Sequence, residues 1–114
     1  MRVHNQTRQV PLITKGRIAN TFWSRLRGLL GTASLQEGEG LILAGEKSIH
    51  TLFMSFPIDV VYIDKNHKVI RIDLNMVPYR LGSFVLNCAF VLEMPVGTIA
   101  RTETEVGDQL TFEN

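Results

Sequence analysis

The chain has 114 residues, 45% of them hydrophobic and 20% charged, with a formal net charge of +1. That length predicts a single domain over residues 1–114 with one core, large enough to bury roughly two-thirds of the unfolded surface without staples, and the composition excludes a disordered or collagen-like chain. The near-neutral total hides an asymmetry: residues 1–36 carry six basic side chains and no acid, and all eleven acids lie beyond them.

Residues 2–13 read as one or two short strands interrupted near Pro11, which cannot donate to a central ladder. Lys15-Gly16 reads as a turn. Asn20 is a candidate N-cap. Phe22, Leu26, Leu29 and Leu30 then recur at helical spacing, predicting a helix over about residues 20–31 that ends at Gly31. Gln36 to Gly40 reads as a turn, Leu41–Leu43 as a short buried strand, and Ala44 to Ser48 as another turn.

Residues 58–63 are β-branched and aromatic, the composition of a strand. After a polar turn at Asp64–His67, Ile70, Ile72, Leu74 and Met76 alternate with Arg71, Asp73 and Asn75. That alternation predicts the second strand of a hairpin, with one buried face. Phe84 to Met94 reads as one long central strand, with Leu86, Cys88, Leu92 and Met94 on one face and Val91 and Glu93 on the other. Pro95 and Gly97 end it. Val106 to Gln109 reads as a tight turn into a closing strand, Leu110–Phe112. Many short strands and one helix predict a mainly β fold, a compact sandwich or jelly-roll-like domain or a small barrel.

Cys88 is the only cysteine, so no intramolecular disulfide forms and no metal site can draw two thiolates from the chain. The N-terminal text has no apolar core of a signal peptide. The longest apolar runs are four to five residues, far short of the roughly 20 that a transmembrane helix needs. These features predict a soluble cytoplasmic protein with no membrane partner.

Several segments occur in an order that resembles a known family. They are Ser24-Arg25-Leu26-Arg27-Gly28-Leu29-Leu30-Gly31, Gly40-Leu41-Ile42-Leu43, Ile49 to Asp64 with its Pro57-Ile58-Asp59 step, Val91-Leu92-Glu93-Met94-Pro95-Val96-Gly97, and Val106-Gly107-Asp108. Together they resemble the DUF192 family over roughly residues 10–112. Where the familiar form of that family has Phe-Trp-Met-Lys-Asn-Thr, this chain has Ile49-His50-Thr51-Leu52-Phe53-Met54, a His-Thr variant. The resemblance implies a β-rich sandwich or jelly roll with one helix near the N-terminus. It implies no particular activity.

His50, with Thr51, is a candidate general base or ligand contact; the plainer alternative is an imidazole bonded to a backbone carbonyl. Asp59 opens an apolar strand, and a carboxylate there needs a partner. Arg25 or Arg27 would supply an ion pair, His50 would make an oriented acid–imidazole pair, or backbone amides at a turn would serve. Glu93 interrupts an apolar strand and is weighed equally as an ion-pair partner of the arginines and as a ligand-binding group. Asp108, after Gly107, reads as a turn residue, and Cys88 as a small buried hydrophobe. His4 and His67 read as exposed. With no local ligand spacing, no metal and no cofactor are expected.

Phe22 and Trp23 interleave with Arg25 and Arg27, a pattern able to stack bases. The basic residues are scattered and the rest of the chain is acidic, so nucleic-acid binding is disfavoured. Three readings remain, in order. The first is a binding module for a small polar ligand or protein partner, with a cleft near His50, Asp59 and Glu93. The second is an accessory protein whose Arg25, Arg27, Asp59 and Glu93 form internal ion pairs. The third is a hydrolase with His50 as general base.

Overall fold

Apolar side chains at every second position build two sheets, and the computed structural model describes them over residues 1–19, 35–44, 56–77 and 85–114. The strands are β1 (Arg2–Asn5), β2 (Val10–Ile13), β3 (Lys15–Ala19), β4 (Glu39–Ala44), β5 (Ile58–Ile63), β6 (Val69–Met76), β7 (Phe90–Pro95) and β8 (Leu110–Glu113), with one short helix, α1 (Thr98–Thr102). The helix expected over residues 20–31 lies outside the described residues.

The first sheet runs β2-β1-β8, with both pairs antiparallel. Pro11 sits in β2, an edge strand, where a missing N–H costs no ladder bond. The second sheet runs β3-β4-β7-β5-β6. Its β3–β4 pair is parallel and its remaining pairs are antiparallel. The fold is therefore mainly β in two sheets, and among the described residues neither closes into a barrel.

The sheets share one core. Val3, Leu12, Ile13 and Leu110 of the smaller sheet pack with Ile42, Val61, Ile63, Leu92 and Met94 of the larger. The opposite, outer face of the larger sheet carries a second cluster that includes Leu41, Leu43, Val60, Tyr62 and Val91. Phe56 and Cys88 pack there too, with Leu35 and Val85 partly buried against them.

The inner core needs two glycines. Gly16 and Gly40 face each other across β3–β4. A Cβ at Gly40 would stand 2.5 Å from Ile13 Cδ1 and 2.7 Å from its Cγ1; one at Gly16 would stand 3.0 Å from Ile13 Cγ2. Ile13 occupies the space these residues leave. Lys15-Gly16 is thus strand rather than turn, because the chain bends one residue earlier, at Thr14, to pass between sheets.

Three further expectations are corrected. Among the described residues of the long strand, Phe90–Pro95 is extended, and residues 85–89 make a turn in which the Cys88 amide donates to the Val85 carbonyl at 3.2 Å. Cys88 accordingly packs on the outer face and not with Leu92 and Met94. In β6 the alternation is broken by irregularities opposite Ile58/Val60 and opposite Tyr62/Ile63. Ile70 therefore packs outward and Ile72 inward, while Leu74 stays 60% exposed. An extra residue shifts side chains to the other face. Finally, α1 follows Gly97, whose φ of 99° starts it from the left-handed region.

Gly40→Ala should lower stability by about 1–3 kcal/mol in chemical denaturation, since overpacking forces core shifts. Adding Ile13→Val should recover part of that loss, a coupling between two sites 27 residues apart in sequence.

Candidate functional site

The two acidic residues singled out in the apolar strands lie on opposite faces of the larger sheet. In β5–β7, Asp59 pairs with Met94 and Val60 with Glu93. Paired residues share a face and neighbours alternate. Met94 belongs to the inner core and Val60 to the outer cluster. Asp59 therefore points inward and Glu93 outward, so one cleft cannot be bordered by both.

Asp59 is 2% exposed, and its carboxylate is engaged by backbone amides. Oδ1 accepts from Asn75 N–H at 3.0 Å; Oδ2 accepts from Gly97 N–H at 3.1 Å and Ile99 N–H at 3.2 Å. The amides of Gly97 and Ile99 are among those an α-helix start leaves unpaired. Gly97 has no side chain to cap them, and Asp59 supplies the acceptor from another strand. Asn75 sits at φ 48° in the irregular part of β6 opposite Asp59. One carboxylate thus fastens two left-handed turns. Among the described residues, the partners of Asp59 are these backbone amides.

Glu93 has the opposite environment. It lies on β7, the central strand, in a row that reads Arg17, Leu41, Glu93, Val60, Asp73 across the five strands. Its side chain is 2% exposed, and Oε2 has no hydrogen-bond partner. Burial raises its pKa from 4.5 to about 8, because desolvation penalises the charged form. At neutral pH the group is chiefly a neutral carboxylic acid.

Asp73, at the β6 end of the row, accepts from the Tyr62 hydroxyl at 3.0 Å and pairs with Arg71 Nε at 3.0 Å. No arginine among the described residues contacts Asp59 or Glu93. His50, Thr51, Arg25 and Arg27 lie outside the described residues.

A second buried polar cluster joins the chain ends. Asp108 Oδ2 accepts from Asn5 Nδ2, Arg8 Nε and the Glu105 amide, each at 3.0 Å. Asn5 Nδ2 also meets Thr104 Oγ1 at 3.1 Å, and Arg8 reaches Glu105 at 2.8 Å. Burial alone would raise the Asp108 pKa; the bonds from Asn5, Arg8 and Glu105, with the Arg8 charge, outweigh it and lower the pKa. The turn assignment for Asp108 stands, with the added role of tying β1 to the loop before β8. Asn5, Arg8 and Thr104 were not singled out in the sequence, because partners about 100 residues away leave no local pattern.

His67 is not simply exposed: its ring stacks on Phe112 at 4.5 Å and meets Phe90 edge-on at 5.5 Å. His4 is half-buried in β1. Cys88 is buried, and its Sγ donates to the Phe90 carbonyl at 3.1 Å. Among the described residues no three His, Cys, Asp or Glu side chains group as metal ligands, and no helix is long and apolar enough to cross a membrane.

The raised Glu93 pKa makes stability depend on pH. The folded state holds a proton between about pH 4.5 and 8 that the unfolded chain has lost. Its stabilising contribution is complete below the lower value and disappears as pH rises through the upper one. The slope is about 1.4 kcal/mol per pH unit. Wild type should lose about 3 kcal/mol relative to Glu93→Gln between pH 5 and 8 in urea unfolding. Parallel curves would show that the carboxyl is not held neutral.

Comparisons with known proteins agree with this architecture. The DUF192 family model, described as "Uncharacterized ACR", matches residues 3–112. A UPF0127 protein of Thermococcus sibiricus is 32% identical over 96% of this chain and 73% of its own length. One from Thermococcus kodakarensis is 30% identical over 95% and 71%. Two crystal structures share the fold. A protein of unknown function from Novosphingobium aromaticivorans has a TM-score of 0.81 at 21% identity, covering 97% of this chain and 82% of that one. A Sinorhizobium meliloti protein described as a candidate transcription regulator has a TM-score of 0.78 at 22% identity, covering 96% and 89%. With a family match spanning nearly every residue, the chain belongs to the DUF192 (UPF0127) family.

Proposed function

We propose that residues 1–114 form one β-sandwich binding domain, acting in the cytoplasm, whose site lies on the outer face of the larger sheet around Glu93. A small polar ligand meets the Glu93 carboxyl, with His50 and Thr51 as further contacts. The observation that carries this reading is the Oε2 atom of Glu93, buried and without a hydrogen-bond partner. Leaving a buried polar group unsatisfied costs about 1–3 kcal/mol, and an isosteric apolar residue would avoid that cost. A group kept at such a position is explained by a ligand that satisfies it. Phe56, next in the chain after the stretch holding His50 and Thr51, packs in the cluster that shares the Glu93 face.

Asp59 leaves the binding role in this reading and becomes a structural fastener. In the hydrolase alternative, Asp59 is committed to three amides, which leaves Glu93 as the acid to orient His50. The accessory-protein alternative, with Arg25, Arg27, Asp59 and Glu93 in internal ion pairs, keeps a structural role for Asp59, carried by backbone amides. No nucleic-acid role is proposed. The domain needs no metal or cofactor in this reading.

Thermal-shift screening with sugars, nucleotides and metal ions tests the proposal. Glu93→Leu should raise Tm without ligand, by the equivalent of about 1–3 kcal/mol, and abolish any ligand-induced shift. His50→Ala and Thr51→Ala should weaken that shift. A Glu93→Leu protein with lowered Tm, or with an intact ligand response, would contradict it.

A further inference from the structure

Among the described residues the two sheets end in four edge strands, β2, β8, β3 and β6. An edge strand offers unpaired N–H and C=O groups to another chain unless something blunts it. β2 carries Pro11. β8 is tied to the hairpin turn, with Leu110 N–H on the His67 carbonyl at 2.9 Å and Gln109 bridged to Lys68. β6 has two irregularities along its pairing with β5, and these disrupt a regular ladder. β3 is closed at Gly16, whose N–H donates to the Met1 carbonyl at 2.8 Å.

Past Gly16 the β3 edge is open. Lys15 N–H donates to the Gly38 carbonyl at 2.9 Å, so Lys15 turns its backbone groups toward β4. Along a strand, successive residues turn these groups to opposite edges. Ile18, three residues on, therefore turns its N–H and C=O away from β4. Among the described residues neither group has a partner, and Ile18 is 49% exposed. The geometry points to the β3 edge as the docking site of an acidic, extended protein segment, which adds a strand to the larger sheet beside Ile18.

The side chains of β3 select that partner. Lys15 and Arg17 are exposed and share a face with Glu39 and Leu41; Ile18 shares the opposite face with Ile42. In an antiparallel segment, the residue opposite Ile18 exchanges two backbone bonds with it. Its side chain then lies on the Ile18 face, which favours an aliphatic group. The residues before and after it lie on the Lys15–Arg17 face, where carboxylates complement the charge. The pattern recognised is acid, aliphatic, acid.

The charge of this edge is not spent inside the domain. Residues 1–36 hold six basic side chains and no acid. Arg8 is engaged with Asp108 and Glu105, but Lys15 makes no ion pair among the described residues. Glu39, opposite Lys15, accepts the Gln36 amide at 2.6 Å. The same cations oppose a second copy of this chain, because two β3 edges side by side would set Lys15 and Arg17 against each other.

The experiment titrates the capped peptide Glu-Val-Glu-Val-Glu into nitrogen-15-labelled protein and follows the β3 amides by NMR. The Ile18 amide should shift to saturation and gain protection from hydrogen exchange. The same peptide with N-methylated valines, and the peptide Lys-Val-Lys-Val-Lys, should not bind. Lys15→Glu should weaken binding about fivefold. Ile18→Pro, which removes the open N–H at an edge position, should abolish it, with folding checked by circular dichroism. No binding of the acidic peptide would overturn the inference. So would binding that survives valine N-methylation, which would be charge attraction without strand addition. An Ile18 shift that grows with protein concentration alone would overturn it in favour of a second copy. A stronger response to single-stranded oligothymidylate than to the peptide would overturn it in favour of nucleic acid.

Discussion

The register of β7 between β4 and β5 decides what the acidic residues of this protein can do. Side chains alternate along a strand and paired residues share a face. With Val60 opposite Glu93, and Asp59 opposite Met94, the two carboxylates are sent to different sides of the same sheet. A shift of one residue in that pairing would reverse every inner and outer position of β7. Leu92 and Met94 hold the register, because they fill the core shared with Val3, Ile13 and Leu110.

The two sides treat a carboxylate differently. The inner side reaches α1 and the turn at Asn75, where unpaired amides are available. Asp59 satisfies them and so joins β5, β6 and the start of α1. Asp108 does comparable work for the chain ends, joining β1 to the loop before β8 through Asn5 and Arg8. Both acids are buried with several donors each, the condition under which burying an ionised group is tolerable. The outer side gives Glu93 only Leu41 and Val60 as row neighbours. With no donor from those two side chains, the carboxyl keeps its proton and an unsatisfied oxygen. Two acids in similar apolar text thus differ in kind: one holds the fold, and one is a liability to it that binding would relieve.

Much of the strand content was legible because its causes are local. β-Branched runs at residues 58–63 and the polar turn at Asp64–His67 identify a hairpin without knowledge of any partner. The ordered motifs likewise pointed to the family. What was not legible depends on pairing. Lys15-Gly16 looks like a turn until Ile13 is seen filling the space that Gly16 and Gly40 leave. The irregularities of β6 follow from its partner β5, so alternation alone placed Ile70, Ile72 and Leu74 on one face. A five-residue helix such as α1 is too short to show a period. The same limit applied to the site. Asp59 and Glu93 were each recognisable as acids in apolar strands, but their separation by the sheet was hidden in the register. The basic N-terminal third does meet the acidic remainder within the domain, through Arg8 with Asp108 and Glu105. Arg25 and Arg27, the arginines first considered for that role, lie outside the described residues.

The central claim is that the Glu93 carboxyl is buried, unpaired and therefore neutral in the folded protein. Carbon-13 NMR of the glutamate side-chain carboxyls, with Glu93 assigned by comparison with Glu93→Gln, follows that proton directly as pH is varied. The account predicts one carboxyl resonance, missing in the variant, that titrates with a midpoint at about 8. A Glu93 resonance titrating near 4.5, with the other glutamates, would contradict it.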